Sequence, residues 1–241
     1  MVNTILFDLD GTLLQITQEA FLDTYFVELK KVFSRMGMDP EISAKAVWVG
    51  TKAMVLNDGS MLNSERFWIV FAEYLALTDE QRRTVESACD DFYTNEFNIV
   101  KTVMTPNDIS QRLVRALPAK GYTVVLATNP LFPSCAVTTR LNWLGLTQQD
   151  FLLVTHYANS SYCKPNPDYY REVLAKIDRA PEHCLMVGNN TNEDMSAGAL
   201  GIETFLVTDC LENEARAGIA TFRHGTLAQL ETYLMSLPDI I

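Results

Sequence analysis

Thr4-Ile5-Leu6-Phe7-Asp8-Leu9-Asp10-Gly11-Thr12-Leu13 decides how this chain is read. A short apolar run stops abruptly at two carboxylates two residues apart, the pattern of a buried strand that ends in a polar turn. Residues i and i+2 of a strand share a face, so Asp8 and Asp10 emerge on one side. Gly11 lets the backbone turn sharply beside them. Ligands of an open α/β sheet bind beyond the carboxyl ends of its strands. One such carboxylate suits a nucleophile and its neighbour a proton carrier. An isolated Asp-x-Asp pair also suits a plain polar turn, so its meaning rests on what the other strand ends carry.

Working outward, similar apolar runs occur at residues 122–127, 184–187 and 204–207, and Phe151-Leu152-Leu153-Val154 gives a fifth. Helix-length segments lie between them at 107–117, 132–144, 168–177 and 192–200. This alternation predicts a doubly wound α/β fold, a parallel sheet covered on both faces. Residues 16–104 break the rhythm. They hold no strand-like run, Phe67, Phe71, Tyr74 and Leu75 recur at helical spacing, and Asp39-Pro40 and Asn57-Asp58-Gly59-Ser60 supply turns. The chain therefore divides into a core of residues 1–15 and 105–241 and an inserted helical unit of residues 16–104.

Three further strand ends carry polar chemistry. Thr128-Asn129 places a hydroxyl and an amide after the second run, although Thr and Asn also serve there as a helix cap. Lys164-Pro165-Asn166-Pro167 supplies a cation whose position is fixed by the two prolines that follow, where a solvated surface lysine is the plainer alternative. Gly188-Asn189-Asn190-Thr191-Asn192-Glu193-Asp194 closes the 184–187 run with two acids, which equally suit a capped helix start.

In this order and context the four sites resemble the haloacid dehalogenase superfamily, whose members are mostly phosphohydrolases. The first motif is highly specific, the Thr128 and Lys164 motifs gain force from their order, and the likeness covers nearly the whole chain. It implies a Rossmann-like core with an inserted helical cap domain. It also implies a Mg²⁺-dependent phosphomonoester hydrolase acting on a small phosphorylated metabolite. Asp8 would attack phosphorus and become an aspartyl-phosphate, and Asp10 would act as general acid and then base. Gly11, Thr128, Asn129 and Lys164 would hold the phosphoryl group, and Asp8 with the Asp10 carbonyl would hold the metal. The fourth motif departs from the family, which commonly has Gly-Asp where this chain has Gly188-Asn189. Asn189, Asn190 and Asp194 stay open as its metal ligand, and Glu193 reads as a solvated helix residue. A phosphomutase using the same intermediate and a non-catalytic binding module are the alternatives. Asp10 argues against carbon–halogen hydrolysis, because the superfamily's dehalogenases lack that aspartate.

Composition bounds the partners. Thirty acidic residues against nineteen Lys and Arg leave a net charge of −11, which repels nucleic acids and anionic membrane surfaces. Five cysteines, none closely spaced, fit neither a disulfide framework nor a zinc site, and point to a reducing, cytoplasmic setting. No basic segment precedes the first apolar run, as a secretory signal would require. The three histidines and Trp48, Trp68 and Trp143 read as structural, although Trp48 is also placed to face a cleft, and the sequence does not rank it against Lys52 and Arg66 as insertion residues that would meet a substrate.

Overall fold

The first apolar run forms β1 (Thr4–Phe7), whose four residues are all buried. In the computed structural model, which describes residues 1–213, 216 and 218–240, it pairs on both sides with parallel neighbours. These are β2 (Thr123–Leu126) and β3 (Cys184–Gly188), followed by β4 (Glu203–Val207) and β5 (Arg223–Gly225) in the order β2-β1-β3-β4-β5. Register sets the site: Phe7 lies level with Leu126 and Val187. The Asp8 amide donates to the Val187 carbonyl at 2.9 Å, and the Ala127 amide donates to the Phe7 carbonyl at 2.7 Å. The segments that start at Asp8, Thr128 and Asn189 therefore leave one edge of the sheet side by side.

Alternation along the strands covers both faces. Ile5 and Phe7 pack with Leu113, Val114 and Leu117 of one helix and Leu227, Leu230 and Leu234 of another. Leu6, Val125 and Met186 point the other way, toward Tyr169, Tyr170, Val173 and Ile177. The helices behind these contacts lie at Ile109–Ala119, Leu227–Ser236 and Pro167–Ile177. Four helices fill the insertion: α1 (Gln18–Arg35), α2 (Pro40–Val55), α3 (Asn63–Leu75) and α4 (Asp79–Thr94). The core helices then follow as α5 (Ile109–Ala119), α6 (Ser134–Trp143), α7 (Pro167–Ile177) and α8 (Leu227–Ser236).

Local chemistry starts the inserted helices. Asp39 accepts from the amides of Glu41 and Ile42 at 2.9 Å with Pro40 opening α2, and Thr78 forms a reciprocal cap with Gln81. The apolar stripe Phe21, Tyr25, Leu29, Val32 and Phe33 seats α1 in the same core that runs beneath the sheet. The two connections between insertion and core are bonded to one another: the Thr105 amide donates to the Gln15 carbonyl at 2.8 Å, and the Ser110 hydroxyl to the Leu13 carbonyl at 2.6 Å.

Two sequence expectations need correction. Residues 151–154 run alongside β2, with Leu152 donating to Val124 and Leu126 donating to Leu153, but they form only a bridge at Val154. Leu152 is exposed there, while Phe151 and Val154 on either side are buried in the core. The fifth strand is instead Arg223-His224-Gly225, an edge strand with no apolar run, held by its ladder to β4. The segment 192–200 yields only a 3₁₀ stretch, Met195–Leu200, which ends at Gly201 in the left-handed conformation. Among the described residues no helix is long and apolar enough to cross a membrane, and all five cysteines are free thiols.

Candidate active site

Gly11 sits at φ +79°, a conformation that suits glycine, and a Cβ there would fall inside the Asn189 side chain. The close approach brings the turn after β1 against the turn after β3. Thr12 spans the join, its hydroxyl placed 3.2 Å from Asp8 Oδ2 and 3.1 Å from Asn189 Oδ1. Lys164 meets the other Asp8 oxygen at 2.9 Å and Asp194 at 2.7 Å, with its own side chain fully buried. Burial opposes the lysine charge, but Asp194 and Asp8 together hold its pKa well above the ordinary value. Burial also pushes the Asp194 carboxyl up to about 6 against the pull of Lys164. The lysine that looked like a surface charge in sequence is thus a buried clamp on two carboxylates.

Thr128 is buried on the wall of the same cavity, fixed by its carbonyl, which accepts from Thr155 at 2.6 Å and from the Tyr169 hydroxyl at 2.9 Å. Asn129 accepts from the Lys164 amide at 3.2 Å and donates to Glu193 at 2.9 Å. Glu193 is therefore not a solvated helix residue. It faces the cavity, and burial pushes its carboxyl up to about 7. Asn190 closes its own turn by accepting from the amides of Asn192 and Glu193, and it donates to Glu212 at 2.8 Å. Of the three residues left open for the metal, Asn190 is thus occupied in the turn and Asp194 is held by Lys164 and the Asn190 amide. Asn189 Oδ1 is the one that shares Thr12 with Asp8.

One participant was not anticipated. Arg140 of α6 is 1% exposed and forms an ion pair with Asp10 Oδ2, while its Nε donates to the Ala136 carbonyl at 3.2 Å. Its guanidinium lies 4.5 Å from the centre of the Phe132 ring. Burial raises the Asp10 pKa and Arg140 opposes the rise. Asp10 Oδ1 is buried without a hydrogen-bond partner. The sequence held a signal: Arg140 falls on the buried stripe of Ala136, Val137, Leu141 and Leu144, where a charge needs a partner.

Asp8, Asp10, Thr128, Asn129, Asn189, Glu193 and Asp194 line the floor of a cavity of about 210 Å³ whose roof is the insertion, with Lys164 and Arg140 buried behind the carboxylates they pair with. The arrangement supplies a carboxylate oriented from both sides, a second carboxyl two residues on, a free-facing threonine and a buried cation. Residues 2–201 match the family described as haloacid dehalogenase-like hydrolase. The chain belongs to that family.

Among relatives of the haloacid dehalogenase-like hydrolase, pyrophosphatase PpaX from Bacillus anthracis is 23% identical over 244 residues, covering 99% of this chain and 98% of PpaX. A HAD phosphatase from Thermococcus onnurineus superimposes with a TM-score of 0.60 at 15% identity, over 99% of this chain and 100% of that one. CbbY from Rhodobacter sphaeroides, solved in complex with phosphate, gives 0.60 at 17% identity over 95% and 96%. These likenesses establish the shared fold.

Of the three insertion residues expected near the cleft of this haloacid dehalogenase-like hydrolase, only Trp48 lines it. Lys52 is exposed elsewhere, and Arg66 braces the 57–60 turn, reaching Ser60 at 3.1 Å and Asp58 at 3.4 Å. Gly188 gives a test of the packing. A Cβ at this position would overlap the Asp194 carboxylate, so Gly188→Ala is expected to displace Asp194 and loosen Lys164. A rate loss of at least tenfold with modest destabilisation, read from phosphate release and the urea midpoint, is the expected outcome. An unchanged rate would show that the Lys164–Asp194 contact is not needed.

Proposed function

We propose that the chain is a Mg²⁺-dependent phosphomonoester hydrolase acting on a small phosphorylated metabolite through an aspartyl-phosphate on Asp8, with residues 16–104 as cap and 1–15 and 105–241 as catalytic core. The observation that carries this reading is the double hold on Asp8, Lys164 on one oxygen and Thr12 on the other, at a strand end facing a roofed cavity. An Asp8 oxygen attacks phosphorus, the bond from phosphorus to the ester oxygen breaks, and the departing oxygen takes the proton of Asp10. Asp10 then removes a proton from water. The resulting hydroxide attacks the same phosphorus, the bond to Asp8 breaks, and inorganic phosphate leaves. Thr128 donates to a phosphoryl oxygen and Lys164 offsets charge on Asp8 and phosphate, so that positioning and neutralisation supply most of the rate.

The residues fit a hard divalent cation. Asp8 and Asn189 offer oxygens that converge on one hydroxyl, and oxygen ligands are what a hard cation prefers. Asp8, the Asp10 carbonyl and Asn189 would hold Mg²⁺, with Asp194 behind them. When bound, the ion supplies positive charge beside the phosphoryl oxygens. Because Asn189 brings no charge, Asn189→Asp is expected to tighten Mg²⁺ binding in a direct calorimetric titration, and equal affinities would place the ligand elsewhere. The free thiols and net charge agree with a cytoplasmic enzyme that binds neither nucleic acid nor membrane. Phosphate release from a panel of phosphomonoesters, lost on chelation and restored by Mg²⁺, tests the function. Absence of release from every member with metal present would overturn it.

A further inference from the structure

The cavity above Asp8 differs sharply between floor and roof. The floor carries the polar groups already described. The roof is aromatic: Phe21, Tyr25, Phe26, Trp48, Phe67 and Phe71 all face the space. Trp48 stacks on Phe26 with ring centres 5.2 Å apart and keeps half its surface exposed.

Two pairs of polar side chains within this roof satisfy one another, and Gln18, Thr51, Cys89 and Asp90 are further polar groups that the insertion turns to the space. The hydroxyls of Tyr25 and Tyr93 lie 2.7 Å apart, and the Trp68 indole donates to the Tyr157 hydroxyl at 3.5 Å. Among the described residues no Lys, Arg or His side chain lines the cavity. Its remaining charges are acidic: Asp90, Glu193 and Glu212 beside the catalytic carboxylates. Lys164 is committed to Asp8 and Asp194, and Arg140 to Asp10.

These facts bear on the part of the substrate that departs. A carboxylate or second phosphate there would be desolvated against aromatic rings with no cation to meet it and acids nearby. A polyol would find partners only on the acids and on Gln18 and Thr51, and its other hydroxyls would be desolvated against the rings. An apolar group would lose no hydrogen bonds and would gain ring packing. Size is bounded too, since about 210 Å³ lies below the ~300–1,000 Å³ usual for pockets that take drug-sized ligands.

We propose that the substrate is the monophosphate of a compact, uncharged, apolar alcohol, aromatic or branched, whose hydrocarbon part packs against the Phe26–Trp48 pair. The proposal rests on the phosphomonoester hydrolase reading and narrows it. It also separates this chain from its pyrophosphatase relatives, because pyrophosphate would present a charged leaving group to a roof without cations.

The test compares kcat/KM for benzyl phosphate, phosphoglycolate, glycerol 3-phosphate and pyrophosphate, with acetyl phosphate as a small donor that reports on the core. Benzyl phosphate is expected to exceed phosphoglycolate and pyrophosphate at least tenfold. Trp48→Ala should lower kcat/KM for benzyl phosphate at least fivefold more than for acetyl phosphate. Trp48→Lys, tolerated because the position is half exposed, should shift the ratio of phosphoglycolate to benzyl phosphate upward by a similar factor. Turnover of acetyl phosphate with equal or better use of phosphoglycolate or pyrophosphate would overturn the apolar assignment alone. Uniform losses across the panel in the Trp48 variants would do the same. Failure to turn over any member, acetyl phosphate included, would remove the hydrolase reading and this proposal with it.

Discussion

Asp8→Asn is expected to abolish phosphate release while leaving the protein folded. The amide lacks the charge needed to attack phosphorus, and no neighbouring carboxylate can take its place: Asp194 is held by Lys164 and the Asn190 amide, and Asp10 by Arg140. Stability is spared for a separate reason. Lys164 keeps Asp194 as a partner at 2.7 Å, so the buried ammonium is not orphaned, and an asparagine oxygen can still accept from Thr12 or Lys164. Phosphate release and the urea midpoint measured on the same preparation check both halves. Near wild-type turnover would sink the aspartyl-phosphate mechanism.

For Asp10→Asn the two readouts part company. Loss of a general acid and base is expected to slow turnover by about 10² to 10⁴-fold. The same change strips Arg140 of the one carboxylate it pairs with among the described residues, and that arginine is 1% exposed. Breaking a buried pair from one side costs roughly 3–5 kcal/mol. The Asp10 side chain is 33% exposed, so solvent in the cavity offsets part of the loss and the lower end of that range is expected. Adding Arg140→Met to Asp10→Asn should recover most of the stability and none of the rate. A single variant as stable as wild type would show that the ion pair does not support the fold.

Most of the scaffold was legible because it rests on local patterns. The run ending at Asp8 states its strand, its turn and its buried end within ten residues, and the 184–187 run does the same. Asp39-Pro40 announced a helix start by cap chemistry that needs no tertiary context. What escaped was decided by partners far away in the chain. Residues 223–225 are a strand only because β4 lies beside them, and the apolar run 151–154 pairs with β2 through a single bridge at Val154. In the site, Asp8, Thr128 and Lys164 announced themselves by standing at strand ends or just before a pair of prolines. Arg140 and Glu193 did not, since a buried arginine and a half-buried glutamate look in sequence like ordinary helix charges. Lys52 and Arg66 drew attention by charge alone, yet the cavity is built from aromatic side chains, which in sequence look the same as core packing.

The hydrogen bonds that tie Gln15 to Thr105 and Leu13 to Ser110 bear on the order in which the chain folds. Pairing β1 with β2 across a disordered excursion of about 90 residues would forfeit about 4 kcal/mol in closure entropy. If α1 to α4 condense first through their own short-range contacts, the two ends of the excursion are brought together and β1 meets β2 as though across a short loop. The insertion then acts during folding as a clasp that delivers the strand bearing Asp8 to the sheet. Pulse-labelled hydrogen exchange should show amides of α1 and α2 protected before those of β1, and the reverse order would mean that the sheet closes without its help.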